Sequence, residues 1–180
     1  LLARAADGTL TTLLSSGAKV ELVSQITNGN GASVSFVYKP LADPTVYAKD
    51  NTAVYPNVDL QSAMHVVSES STSNGIGGNN RVTFSYFGAK ANAYGRGFQG
   101  FRRVSSVDQQ TGISTVTNFQ TDFPYNGLPS TIERLSGVTP ISNIVNTYSA
   151  QALGGTRFFP FLSQSVQSDN DLNGAAFPIV

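Results

Sequence analysis

Few residues in this chain have the type and spacing that chemistry requires. His65 is the only histidine, and it lies between Met64 and Val66 in a strand-like run. No serine occurs in a Gly-x-Ser-x-Gly context that this histidine would activate, so a structural or surface histidine is favoured over a general base. The carboxylates are too sparse to nominate an acid and base pair, and a hydrolase remains only a third alternative. The sequence predicts no catalytic residue.

Residues 169–174 resemble the first half of a calcium loop. Oxygen-bearing side chains stand at the first, third and fifth positions, and glycine stands at the sixth. The twelfth position is Val180, which cannot supply the bidentate carboxylate, and no helix pattern flanks the loop. A solvated turn is therefore favoured over weak calcium binding. No metal-binding or cofactor-binding residue is predicted, and no cofactor.

A glycine-rich run at residues 73–80 has the composition of a phosphate-binding loop but not its context. A dinucleotide loop opens a helix, whereas this run leads into residues 81–87, which have the β-branched and aromatic character of a strand. The run is therefore predicted to connect the two strands of a hairpin.

The densest cluster of glycine and aromatic residues lies between residues 94 and 128. Glycine inside a strand costs about 0.5–1 kcal/mol relative to a residue with a Cβ, so the glycines need a structural reason. Bulges or close backbone approach that let Phe98 and Phe101 enter the core are favoured. A recognition surface for a partner chain or glycan, and a phosphate cradle, are the alternatives. The motif residues are Gly95, Arg96, Gly97, Phe98, Gly100, Phe101, Asp122, Phe123, Pro124 and Gly127.

The elements that must position this motif are strands. Residues 18–39 alternate apolar and polar side chains on both sides of an Asn-Gly-Asn-Gly run, which predicts a hairpin. Turn residues separate the later apolar runs, and no amphipathic helix stands out, so the chain is predicted to be all-β and antiparallel. Residues 1–17 are a weakly structured lead-in, and residues 18–180 form one β-rich segment. Further strands are predicted at 46–48, 63–70, 81–87, 113–119, 130–135, 141–148 and 162–167.

Composition excludes several classes of partner. Charged residues make up 12% of the chain, with 11 basic and 11 acidic side chains, so no field attracts nucleic acid or anionic lipid. Cysteine is absent, which excludes disulfides and thiolate chemistry. No window approaches the ~20 apolar residues of a membrane span. The start lacks the pattern of a secretion signal, and the chain is interpreted as a fragment of a longer protein.

Ordered motifs in this sequence resemble the bacterial RHS (YD-repeat) proteins, specifically the SpvB/TcdB-like region of toxin-complex B components. The resemblance rests on residues 94–104, on Asp108 with Thr111 and Gly112, and on residues 122–129. Shorter matches flank these on both sides and extend it over most of residues 20–178. The resemblance implies an extended antiparallel sheet that forms part of a β-shell around a toxin or cargo polypeptide. It also implies a large secreted or surface-displayed bacterial protein.

The first hypothesis is therefore a non-enzymatic shell segment of an RHS-type toxin protein. Its expected partners are neighbouring segments of the parent chain and the enclosed cargo, with self-association through exposed strand edges when the segment is isolated. In this family the self-cleaving aspartates and the toxic enzyme lie in a C-terminal portion that these residues do not match. The alternative is a secreted or surface β-sandwich, either an adhesin or a carbohydrate-binding module, whose exposed Tyr and Phe stack on sugars.

Overall fold

The computed structural model of the chain describes residues 2–4, 10–12 and 22–177, and every regular element in these ranges is a β-strand. The all-β prediction is confirmed. These ranges contain no helix long and apolar enough to cross a membrane. The strands are β1 Leu2–Arg4, β2 Leu10–Thr12, β3 Gln25–Thr27, β4 Ser33–Pro40, β5 Tyr47–Ala48, β6 Asn57–Asp59, β7 His65–Ser73, β8 Asn79–Asn92, β9 Gly97–Asp108, β10 Ile113–Phe119, β11 Pro129–Ser136, β12 Thr139–Ala152 and β13 Phe158–Asp169.

Eleven of these strands form one open sheet, in the order β13-β12-β11-β10-β9-β8-β7-β4-β3. β5 and β6 join the sheet beside β8, on the same side as β7, so three strands share one side of β8. Neighbouring strands run antiparallel except for β5, which is parallel to β8. β1 and β2 form a separate antiparallel pair. The large sheet does not close into a barrel.

Most predicted strands are confirmed, and several are longer than predicted. β10 has the predicted bounds, whereas β12 extends beyond both ends of its predicted range. The predicted hairpin of residues 18–39 is confirmed from β3 onward, since β3 pairs with β4, and residues 18–21 lie outside the described ranges. Residues 73–80 connect β7 and β8 in a hairpin, as predicted. The predicted lead-in, residues 1–17, is described only at β1 and β2.

The core is small and lies where residues 41–60 cover β8. Leu41 and Ala89 are fully buried, and Val46 and Tyr47 are nearly so. The hydroxyl of Tyr47 donates to the carbonyl of Leu60 at 2.6 Å and accepts the N–H of Ala89 at 3.1 Å. We call residues 41–60 the covering segment, and these two hydrogen bonds hold it against β8. Burial of a side chain such as Leu41 stabilises the fold by about 1.5–3 kcal/mol.

Outside this core the sheet is a single layer whose two faces meet solvent. Only one of the twelve residues of β13 is even half-buried. The chain exposes 11911 Å², whereas a compact monomer of 19.0 kDa exposes about 8,400 Å². The described strands form one large sheet, and no second large sheet packs on it. The β-sandwich alternative is therefore not supported.

Candidate functional site: the aromatic end and the open edge

Turns alternate between two ends of the sheet because successive strands are antiparallel. The turns after β8, β10 and β12 lie at one end, and those after β3, β7, β9 and β11 lie at the other. The first end carries Tyr55, Tyr94, Arg96, Phe123 and Phe158, and we call it the aromatic end. The second carries mainly Asn, Asp, Gln and Gly, and we call it the polar end.

Positive φ is the reason for the glycines at the aromatic end. Gly95, Gly97 and Gly100 have φ of 89°, 69° and 98°, values that strain any residue with a Cβ. A Cβ added at each would have no heavy atom within 4 Å, so close backbone approach, one of the two predicted explanations, is wrong at these positions. Gly127 has φ of 82° and equally open surroundings. These glycines set the course of the backbone.

A β-bulge, the other predicted explanation, lies beside these glycines. The pairing of β8 with β9 shifts between Lys90 and Ala91, which leaves Gln99 as the extra residue. Gln99 is buried, and its amide group donates to the carbonyls of Arg96 and Gly97 at 3.3 and 3.1 Å. The side chain thus donates to two backbone carbonyls at the start of β9.

The two phenylalanines of the motif have different surroundings. The ring of Phe101 lies 4.8 Å from that of Tyr86 and 6.3 Å from that of Tyr47, between centroids, and packs on the core. Phe98 meets Phe101 edge to face at 5.4 Å but is 46% exposed. The prediction that both rings enter the core is right for Phe101 and wrong for Phe98, which lies at the start of β9, at the margin of the sheet.

Arg96 and Phe123 join the two halves of the motif. The guanidinium carbon of Arg96 lies 3.4 Å from the centroid of the Phe123 ring, in a cation–π contact. Phe123, which precedes Pro124, also meets Phe158 edge to face at 5.6 Å. Asp122 accepts a hydrogen bond from the amide of Asn57 at 3.2 Å. The structure therefore brings together motif residues that are far apart in the sequence.

The aromatic end is an exposed apolar surface. Tyr55 and Tyr94 pair edge to face at 5.3 Å, and both are exposed, as are Phe123 and Phe158. Exposed apolar patches occur at contacts with proteins, membranes and ligands alike. The observed pairs meet at steep angles, 82° between the two tyrosines and 80° between the two phenylalanines. The rings therefore lean on one another and do not form the flat platform on which a sugar stacks.

A charged cluster that the sequence did not predict lies beside the core. Arg102 donates to the carboxylate of Asp50, which is 5% exposed, and to the hydroxyl of Thr52 at 3.2 Å. Burial alone would raise the pKa of Asp50, but hydrogen bonds from Arg102, Thr52 and the N–H of Asn51 outweigh it, so this pKa lies below its ordinary value. The ion pair holds the covering segment on β9. No local motif announces it, because its partners are 52 positions apart.

An open cavity of about 450 Å³ adjoins this cluster. The ammonium of Lys90, a nearly buried residue, donates to the hydroxyl of Thr52 at 2.9 Å and lies 3.7 Å from the carboxylate of Asp59. Basic and acidic groups thus neutralise one another around the cavity. The residues lining it include Thr52, Asn57, Lys90, Arg102 and Asp122.

The other residues considered for chemistry have structural contacts. His65 begins β7 and pairs with Pro40. The carboxylate of Asp171 accepts the N–H groups of Asn173 and Ala175, both at 2.8 Å, which closes residues 171–175 as a turn. That turn is the favoured interpretation of the calcium-like sequence, and Val180 lies outside the described residues. Within the described ranges, no three His, Asp or Glu side chains converge on a metal position.

The last strand leaves a long edge of the sheet open. β13 pairs with β12 along its length, and no described strand pairs with its other side. Asp169 is its only charged residue, and Pro160 is its only residue without an N–H. A long, uncharged edge presents a row of free donors and acceptors that another strand can occupy.

These features define an open, single-layered antiparallel sheet with two available surfaces, its aromatic end and its β13 edge. The family described as the insecticide toxin TcdB middle/N-terminal region matches residues 8–128. The match covers more than half of the chain, which therefore belongs to this family. It includes both halves of the glycine and aromatic motif. It confirms the toxin-complex part of the resemblance, while the RHS and SpvB parts stay predictions. No curated protein matches the chain.

Proposed function

We propose that this chain is a non-catalytic structural segment of a toxin-complex protein and forms part of a β-shell that encloses a toxin or cargo polypeptide. Membership of the TcdB family supports the toxin-complex part. The observation that carries the proposal is the single-layered sheet with its open β13 edge. A wall one sheet thick needs this form, because one face must meet the cargo and the other the solvent.

The energetics of the sheet favour a role within a larger assembly. Few apolar side chains are buried, and large ones such as Phe159, Phe161 and Leu162 are exposed on β13. A neighbouring strand would cover these side chains and satisfy the free backbone groups of the edge. In this proposal the neighbouring segments of the parent chain supply that strand. A second copy of the isolated chain supplies it when those segments are missing.

The finer parts of the proposal follow the family resemblance. The segment belongs either to an RHS-type shell or to the SpvB-like region that leads into it. The parent is a secreted or surface-displayed bacterial protein. Toxic activity resides elsewhere in that protein. Binding of nucleic acid plays no part, since the 11 basic side chains are balanced by 11 acidic ones.

Amide hydrogen exchange of β13 tests the proposal. In the isolated chain at low concentration, the N–H groups of β13 that do not bond β12 exchange rapidly. In the longer toxin-complex protein the same N–H groups become protected, because carbonyl groups of a neighbouring strand accept hydrogen bonds from them. β10, which has partners on both sides, is the control and stays protected in both samples. An edge that exchanges equally fast in the longer protein would contradict a continuous wall.

A further inference from the structure

Three loops at the polar end of the sheet share one hydrogen-bond pattern. In each, the side-chain oxygen of an Asn or Asp accepts the backbone N–H groups two and four residues later, at distances from 2.8 to 3.0 Å. The backbone N–H of the first residue also donates to the carbonyl of the fifth. The first residues of the loops are Asn28, Asn74 and Asp171. Two of these loops begin with an Asn-Gly step, a sequence with its own chemistry.

An Asn-Gly step can deamidate without a catalyst. The glycine nitrogen loses its proton to water and forms a bond to Cγ of the asparagine, the Cγ–Nδ2 bond breaks, and ammonia leaves with the proton it requires. The resulting succinimide adds water and opens to aspartate or isoaspartate. Glycine favours the attack because it has no Cβ to obstruct it. The chain has five such steps, at Asn28, Asn30, Asn74, Asn126 and Asn173.

Hydrogen bonds to the attacking nitrogen divide these five steps into two groups. All five asparagines are exposed, so access of water does not distinguish them. Gly31, Gly127 and Gly174 donate their N–H to backbone carbonyls at 3.1, 2.9 and 3.0 Å, and each bond must break before the nitrogen attacks. Within the described residues, the N–H groups of Gly29 and Gly75 make no such bond.

Hydrogen bonds to the side-chain oxygen of each asparagine divide the five steps into the same two groups. As the nitrogen attacks Cγ, negative charge develops on Oδ1 of the asparagine. In the loops of Asn28 and Asn74, two backbone N–H groups already bond to this oxygen, an arrangement that stabilises an oxyanion. No hydrogen bond to the side-chain oxygen of Asn30, Asn126 or Asn173 occurs in the described part of the chain.

We propose that Asn28 and Asn74 are modification sites at which the folded chain deamidates, while the other three Asn-Gly steps are protected. Asp171 shows that a carboxylate in the same loop keeps both hydrogen bonds. The aspartate product therefore preserves the loops and adds negative charge to the polar end. The isoaspartate product routes the backbone through the side chain and opens the loop. This inference goes beyond the proposed function and does not depend on it.

Peptide mapping by tandem mass spectrometry tests the inference on the whole chain in mildly alkaline buffer. Asn28 and Asn74 should convert at least about fivefold faster than the protected three, the factor that corresponds to one typical net hydrogen bond. Gly29→Ala should slow Asn28 and leave Asn74 unchanged as an internal control. In denaturant the difference should vanish, because the folded hydrogen bonds are lost.

Three results would overturn the inference. They are conversion of Asn126 or Asn173 as fast as that of Asn74, an order of rates that persists in denaturant, and no conversion at Asn28 and Asn74 under conditions that modify the unfolded chain. Asn28→Asp provides an independent check of the loop. Its thermal unfolding should match that of the parent, and a large loss of stability would contradict the claim that the loop accepts the product.

Discussion

Glycine-to-alanine substitutions at three positions separate backbone strain from crowding. Gly29 has no positive φ and open space around it, Gly97 has φ of 69° and open space, and Gly88 has φ of 66° with a crowded Cβ position. At Gly88 the added Cβ would lie 3.0 Å from Cβ of Arg102 and 3.2 Å from Oδ2 of Asp50. The three substitutions therefore form a series in which one cost is added at each step.

The magnitudes follow from these costs. Alanine at any of the three positions reduces unfolded-chain entropy by a similar amount, so differences between the variants report the folded state. Gly97→Ala should be less stable than Gly29→Ala by about 1–2 kcal/mol, the cost of a left-handed residue with a Cβ. Gly88→Ala should lose about a further 1–3 kcal/mol, because the side chains of Arg102 and Asp50 must shift to make room for the added Cβ.

Urea unfolding followed by circular dichroism measures this series. With the three variants compared in one buffer, the order of stability should be Gly29→Ala, then Gly97→Ala, then Gly88→Ala. Equal stability of the first two would refute positive φ as the reason for the glycine at position 97. Equal stability of the last two would refute the crowding beside Asp50.

Three further predictions concern the ion pair, the core and the edge. Arg102→Gln should lower the free energy of unfolding by about 1–3 kcal/mol, because it leaves the buried carboxylate of Asp50 without its cation. The pKa of Asp50 is lower in the folded chain than its ordinary value of 3.8. The stability that this difference contributes is complete above pH 3.8 and is lost as the pH falls through the pKa of the folded state. Asp50→Asn has no carboxylate to titrate, so its acid unfolding should lack this loss. Leu41→Ala should cost about 2–5 kcal/mol in denaturant unfolding, while Val138→Ala, at a residue 92% exposed, should stay within about 0.5 kcal/mol of the parent. Sedimentation should show concentration-dependent association of the isolated chain, and Ser165→Lys should weaken it by placing charge on β13; a concentration-independent monomer would count against edge pairing.

The strands were predictable because their signals are local. β10 alternates β-branched and polar residues between two turns, and its bounds match the prediction. The hairpin of β7 and β8 follows from glycine and asparagine in its turn, which adopt tight reversals at low cost. Glycines 95, 97 and 100 were singled out because three glycines in one strand-like run need a backbone explanation, and all three have positive φ.

The site was less predictable because its contacts are long-range. Nothing near Asp50 in the sequence identifies Arg102 as its partner, and nothing near Arg96 points to Phe123. The sequence also placed Phe98 in the core, because the glycines beside it were expected to let its ring turn inward, but Phe98 lies at the start of β9 and is 46% exposed. These contacts depend on which strands become neighbours, and alternation along one strand does not carry that information.

Thiol labelling of the two faces tests the central claim, that this sheet is a wall with cargo on one side. Gln164 and Ser165 are adjacent on β13 and exposed, so their side chains point to opposite faces. The chain has no cysteine of its own, and Gln164→Cys and Ser165→Cys each introduce one. In the isolated chain both should react with a bulky maleimide. In the assembled toxin-complex protein one should stay reactive while the other is protected. Equal reactivity of both cysteines in the assembly would contradict the account.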